Sequence, residues 1–297
     1  IRQAIDEFRT ATEIEPGFGL AWGALSASYA VYARRGHAPQ LEYIEKSRAA
    51  ALKAIESGNG AWIGYAGLGW SRLWTRDLRG ACEAFREALR INPSAPYAIH
   101  GDAECMMFAG RIDEHVERIR ELAMLEAQAL YHNRPLSFHL FYARRYDEAL
   151  AATLDMQKRF PGFPMHVILS IIYWAQGEYE KALEEERSLF AMRNDTTMLA
   201  ALEDGLAAGG PNGAMRAIAE TMVDRSGDSY VDPFRIGETY ARAGAVDEAL
   251  YWFNKAVDHG SFGVIYIEYR PDFDVMRSHP DYPELIRRAG FKRQTDP

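Results

Sequence analysis

A chain of 297 residues, 48% hydrophobic and 26% charged, holds enough apolar material for a long core, and its length alone suggests about two domains. A formal net charge of −8 argues against nonspecific nucleic-acid binding, which needs a basic face to displace counterions, and the short basic run at 287–293 is too small to reverse that. No apolar run reaches the roughly 18 residues of a membrane span and no signal-peptide pattern stands at the start, so a cytoplasmic location is expected.

The first segment reads AIDEFRTATEIEP, with Ala4, Phe8 and Ala11 at i, i+4 and i+7. That spacing is one stripe of a helix, and Pro16 stops it. The chain thus opens inside the second helix of a hairpin. A stripe of Ile5, Phe8 and Ala11 is expected to lie exposed at an uncapped edge, which predicts a homodimer through that edge and a chain that is part of a longer protein. The stripe returns as Ala81, Phe85, Ala88 and Pro93 in GACEAFREALRINPSAP, more loosely as Ala149, Met156 and Pro161, and again as Ala249, Phe253 and Ala256. Ala81 to Ala149 is 68 residues, Ala149 to Ala182 is 33 and Ala214 to Ala249 is 35, a period near 34 that marks stacked helix pairs. The gap of 77 between Ala4 and Ala81 exceeds two periods by nine, which places a loop-sized insertion around 35–43.

The helix before each stripe has its own mark. Gly237, Tyr240 and Gly244 precede or close on Ala249; Gly69 precedes Ala81, and Ser170, Tyr173 and Gly177 accompany Ala182. A small residue followed three later by a large one lets paired helices close at one point and fills the gap beside it. With Leu68, Gly69, Ala81, Phe85, Ala88 and Pro93 in one repeat and Gly237, Tyr240, Gly244, Ala249, Phe253 and Ala256 in another, the chain resembles the tetratricopeptide repeat (TPR) family over nearly its whole length, in about seven repeats. The resemblance implies an all-α solenoid of helix-turn-helix pairs wound into a right-handed superhelix. Two repeats depart from the pattern: His115 and Ile119 stand at the Ala and Phe positions, and Gly205 stands where a Tyr is expected.

In such an array the first helix of each pair lines a concave inner wall. The stripe from 62 offers Ile63, Ala66, Trp70 and Leu73 or Trp74; the next offers Tyr97, His100, Glu104, Met107 and Phe108. Beyond it come Arg134, Phe138, Phe141 and Tyr142, then Trp174, then Phe234 and Glu238. The expected partner-binding face is therefore Trp70, Trp74, His100, Glu104, Phe108, Arg134, Phe138, Phe141, Tyr142, Trp174 and Phe234, an apolar and aromatic wall suited to a peptide or partner domain. The competing reading is that these rings pack against neighbouring repeats. The carboxylate clamp by which cochaperones of this family hold acidic chaperone tails is absent, since the three stripes carry Ala66 and Trp70, His100 and Glu104, Arg134 and Phe138.

Catalytic patterns fail. GFGLAWG at 17–23 has the wrong final spacing for a dinucleotide loop, and GYAGLG at 64–69 lies in a helix where Gly69 has a packing reason. No phosphate-binding loop, HExxH or GxSxG is present. His100 and Glu104 stand at i, i+4 without a third ligand, so no metal and no cofactor are expected. Cys82 and Cys105 lie on different helices without CxxC spacing, and the reading is two thiols in a reducing compartment with no disulfide.

The array is expected over 1–257 and a capping segment over 258–297. FGVIYIEY at 262–269 is read as a helix because the repeat asks for one there, although its residues favour extended chain; DFDVMRSHPDY leads to a last helix over 281–289. This ending resembles the closing segment of TPR regions in bacterial multidomain regulators linked to winged-helix, kinase or cyclase modules. The sequence therefore points to a non-catalytic scaffold binding a protein or peptide, with no nucleic acid and no membrane partner. The alternative is a small-molecule sensor with an aromatic pocket around Trp70, Trp74, Phe138 and Tyr142.

Overall fold

The computed structural model describes residues 1–34, 40–125 and 130–290, with the side chains of all of these except Arg34 and 130–134. Among them there is no strand. After α1 (Arg2–Ile14) the helices run in pairs: α2 (Gly19–Arg34) with α3 (Gln40–Glu56), α4 (Ala61–Trp74) with α5 (Leu78–Ile91), α6 (Pro96–Phe108) with α7 (Ile112–Leu125). They continue as α8 (Leu130–Tyr142) with α9 (Tyr146–Arg159), α10 (His166–Ala175) with α11 (Tyr179–Met192), the bent α12 (Thr196–Arg225), and α13 (Pro233–Arg242) with α14 (Val246–His259). This is the all-α solenoid of helical hairpins that the sequence predicts. The insertion expected at 35–43 falls mainly on 35–39, outside the described residues, while 40–43 open α3.

The backbone keeps the same beat as the sequence. Left-handed residues recur at Arg76, Gly110, Arg144, Gly177, Gly210 and Gly244, each at the turn between the two helices of a hairpin. A residue in this conformation ends the first helix and reverses the chain within a few residues. Asp77 then starts α5 by accepting from the Gly80 N–H at 3.0 Å, and Asp195 starts α12 in the same way with Met198.

Helices close together where the small residues stand. Phe85 is fully buried between two glycines: a Cβ on Gly69 would come within 2.5 Å of its ring, and one on Gly101 within 2.2 Å. Gly237 leaves the matching space for Phe253, and Ala81, Ala88, Ala249 and Ala256 are completely buried. The irregular repeats have local solutions. His115, at an alanine position, is buried with its Nδ1 2.7 Å from the Ala103 carbonyl. In α12, Gly210 adopts φ 64°, ψ −156°, a conformation open essentially to glycine alone, and Pro211 restarts the helix. Gly205 then backs directly onto Gly213, so the missing tyrosine is replaced by backbone against backbone.

Three expectations are corrected. Cys82 on α5 and Cys105 on α6 form a disulfide, with Cα atoms 5.9 Å apart, so they no longer argue for a reducing compartment. The rows of the two facing helices bring residues 23 apart together, a proximity that motif spacing does not reveal. The stripe on α1 is covered: Ile5 and Phe8 pack with Leu25, Tyr32 and Ala50 of α2 and α3. Residues 262–269 do not form an α-helix. They begin with a 3-10 turn at Phe262–Tyr266, followed by a second at Pro271–Met276, because Val264, Ile265 and Ile267 disfavour helix and Pro271 denies it a donor. The closing helix expected at 281–289 is α15 (Tyr282–Ala289).

The chain divides into two compact units. The first comprises Ile1–Leu125 with His259–Ile265 and Gly290; the second comprises the described residues from Leu130 to Asp258 with Tyr266–Ala289. Position 257 lies within α14; of the residues after it, 259–265 belong to the first unit and 266–289 to the second.

Candidate functional site

In each unit, the faces of the first helices are engaged by residues that follow α14. Within the first unit, α4 carries Trp70 and Trp74 one turn apart. Trp70 is buried: it donates its indole N–H to the Tyr97 carbonyl at 3.0 Å, stacks on Tyr97, and meets Phe85 and His100 edge-on. Trp74 is also buried, with the Phe262 ring edge-on at 5.2 Å. The Phe262 N–H donates to Gln40 Oε1 at 2.6 Å, and the side chains of Val264 and Ile265 are buried in turn. Residues 259–265 thus lie on this unit as an apolar strap, with the Phe262 ring on Trp74 and its N–H on Gln40.

The second unit holds the following residues by different means. Tyr142, on α8, stacks on Tyr266 with ring centroids 5.1 Å apart. Phe234, on α13, packs against Phe253 and Phe273. The Arg270 guanidinium lies over the Phe273 ring at 4.3 Å and pairs with both Glu238 of α13 and Asp272, all three being interior groups. Burial alone would raise the Glu238 carboxyl, but Arg270, with Arg235 and Arg242, outweighs it and holds the group down to about 2. A charged Glu238 is therefore part of the folded state across the neutral range. Next to it, Arg242 reaches Glu186 at 2.9 Å and Ser170 at 3.2 Å, joining α13 to α10 and α11. Arg144 and Arg277 both hold Asp274, which fixes the end of the same segment. Such a network is costly to desolvate and costlier to break, since removing one member strands the others in a medium that cannot solvate them.

The expected contact residues fall into three groups. Trp70, Trp74, His100, Glu104, Phe108, Phe141 and Phe234 are interior, so for these the packing alternative describes what the side chains do in this conformation. His100 Nε2 lies 3.3 Å from Glu104 Oε1 within α6. Phe138, Tyr142 and Trp174 are half-buried, Phe138 and Tyr142 with ring centroids 6.5 Å apart and Trp174 meeting Tyr179 edge-on at 4.8 Å. The Arg134 side chain lies outside the described residues. What joins Trp74, Tyr142 and Phe234 is not a shared empty wall but contact, each in its own unit, with Phe262, Tyr266 and Phe273. Sequence reasoning missed Arg270. Its signal was weak: one arginine before a proline, with nothing to say that Glu238 on α13 would be its counter-charge.

No protein-family profile matches the chain, and no curated protein matches it. Solved structures do. A chain of the APC/C hetero-tetramer Cut9–Hcn1 aligns over 97% of this protein and 59% of its own length, at 13% identity and a TM-score of 0.56. Yeast Tom70 aligns over 96% of this protein and 62% of its own length, at 12% identity and a TM-score of 0.52. A third, YrrB, described as a TPR protein with an unusual peptide-binding site, aligns over 63% of this chain and 93% of its own at 17% identity and a TM-score of 0.40. The present chain spans about three-fifths of the length of Cut9 and Tom70. No helix among the described residues is long and apolar enough to cross a membrane.

Proposed function

We propose, for a chain with the TPR solenoid fold, a role as a non-catalytic scaffold whose first-helix faces bind a segment that is not α-helical and carries aromatic rings and an arginine. The observation that supports this reading most directly is the set of groups around Arg270. A guanidinium enters from a non-helical segment, lies on an aromatic ring and finds Glu238 waiting on a first helix. That is how a hairpin array would hold a partner peptide: rings supply buried area, and one fixed carboxylate sets register and selects for a cation. Here residues 266–276 of the protein itself occupy those positions on the second unit, so this face is read as closed on its own ligand-like segment, and a partner protein with similar chemistry would take its place. Tyr142, Phe234 and Glu238, all of the second unit, are the receiving residues in this reading. The small-molecule alternative has less support, because Trp70 and Trp74 are packed round by Tyr97, His100, Phe85 and Phe262.

The test is a labelled peptide with the sequence of residues 266–276, offered to the full chain and to Arg270→Ala, in which the resident segment has lost its ionic anchor. Tenfold or tighter binding to the variant than to the wild type, abolished by adding Glu238→Gln, is expected. Equal weak binding to both, or binding of a scrambled peptide as well as the true one, contradicts the reading.

A further inference from the structure

A different face of the second unit exposes a pair of aromatic rings. At two and three residues beyond the stripe alanine, the other second helices place charged or small residues: Glu83 and Ala84 on α5, Glu117 and Arg118 on α7, Glu184 and Glu185 on α11. On α14 these positions are Tyr251 and Trp252. Neither is needed for the hairpin, whose contacts run through Ala249, Phe253 and Ala256. Tyr251 is 54% exposed, an uncommon place for a large ring with no packing duty, and it meets Trp252 edge-on at 5.5 Å. The two rings border an open groove of about 580 Å³ that Val223 and Tyr240 line from α12 and α13.

The chemistry of this groove selects a cation. Lys255 already places its ammonium 4.8 Å from the Tyr251 ring centre and 5.0 Å from that of Trp252, which shows that the pair is oriented to receive positive charge. Asp247 and Glu248 stand on the same helix, and Glu220 and Asp224 on the facing part of α12. Glu248 and Glu220 share Arg216, and Asp247 meets His279 Nε2 at 3.1 Å, which leaves the four carboxylates in excess over Arg216 and Lys255. Tyr240, in the wall, feels the surplus: burial first, then Glu220 and Glu248, make its hydroxyl harder to ionise. An acidic partner would be repelled by this excess, and a cationic one drawn to it.

We propose that the outer face of α14 captures a lysine- or arginine-bearing segment of a partner protein, with the cation seated on Tyr251 and Trp252 in exchange for Lys255 and flanked by Glu248 and Asp247. The site is independent of the one that holds residues 266–276. Because Tyr251 is mostly exposed, its removal leaves the fold intact, and the measurement uses the full chain with fluorescein-labelled polyarginine as probe and polyglutamate as control. Polyarginine should bind and polyglutamate should not. Tyr251→Ala should raise the Kd by about fivefold and the double change with Trp252→Ala by about tenfold or more. Lys255→Ala, which vacates the rings, should lower the Kd by about threefold. A polyarginine affinity unchanged by loss of both rings would overturn the proposal, because diffuse attraction to an acidic protein would then account for it. So would tighter self-association of the chain that disappears with Tyr251→Ala, since the face would then serve a second copy.

Discussion

The strap at 259–265 and the anchor at 266–276 are consecutive in sequence, yet only the second adds a buried ionic set to its apolar contacts. The first rests on burial, with Phe262 against Trp74 and Val264 and Ile265 shielded from water. The second adds charge to burial: Ile267, Phe273 and Met276 are fully buried, and Arg270 is placed between Glu238 and Asp272 inside the second unit. Apolar burial is non-directional, forgiving of substitution and nearly independent of pH. A buried ionic set is directional, intolerant of loss and tied to protonation. The comparison teaches that release of this segment has one gradual route and one steep one, and that the steep one is set by a single carboxylate on α13.

The largest effect should come from breaking the ionic anchor. Arg270→Ala leaves Glu238 and Asp272 buried without their main counter-charge and should cost about 3–5 kcal/mol in denaturant unfolding. Arg270→Met, which fills the space, should recover part of that only when paired with Glu238→Gln. Trp70→Ala should cost a comparable ~3–5 kcal/mol, because the ring is buried among Phe85, Tyr97 and His100 and its loss opens a cavity. A near-neutral result for Trp70 would return it to the role of a contact residue. On the apolar side, Phe262→Ala should cost only about 1–2 kcal/mol, since that ring is partly exposed already.

Protonation sharpens the contrast. Glu238 is held at about 2 in the folded state against an ordinary 4.5, so it contributes stability above about pH 4.5 that is lost as pH falls towards 2. Acid titration followed by tryptophan and tyrosine fluorescence should show a step in that window that Glu238→Gln removes. A smaller effect belongs to His115, whose burial lowers its proton affinity below the ordinary 6.5. The unfolded chain then binds the proton more readily than the folded one, and stability declines as pH drops below about 6.5. His115→Ala should flatten that decline between about pH 7 and pH 5, measured as the change in Tm.

How much of this was legible in the sequence follows from the same division between regular packing and particular pairings. Gly69, Ala81, Phe85, Gly237, Ala249 and Phe253 could be read because their role repeats: each packs a hairpin in the same way, and a period of about 34 displays that at once. The recurring left-handed turns at Gly110, Gly177 and Gly244 are further traces of it. The aromatic faces of the first helices were legible as rings at the right positions, but a ring that binds and a ring that packs have the same composition and spacing, so Trp70 gave no sign of its burial. Residues 262–269 were misread because the period argued for helix where the β-branched residues and Pro271 argued against it, and local propensity prevailed. The Cys82–Cys105 bond and the Arg270–Glu238 pair are long-range choices between particular side chains, which no repeat displays.

The measurement that bears most directly on the central claim is amide hydrogen exchange across residues 266–276, compared between the wild type and Arg270→Ala. The account predicts strong protection in the wild type and a selective loss of protection in the variant, with α13 and α14 still slow to exchange. Loss of protection spread equally through α13, α14 and residues 266–276 would contradict it, since the segment would then be an ordinary part of the core and not an occupant of a binding face.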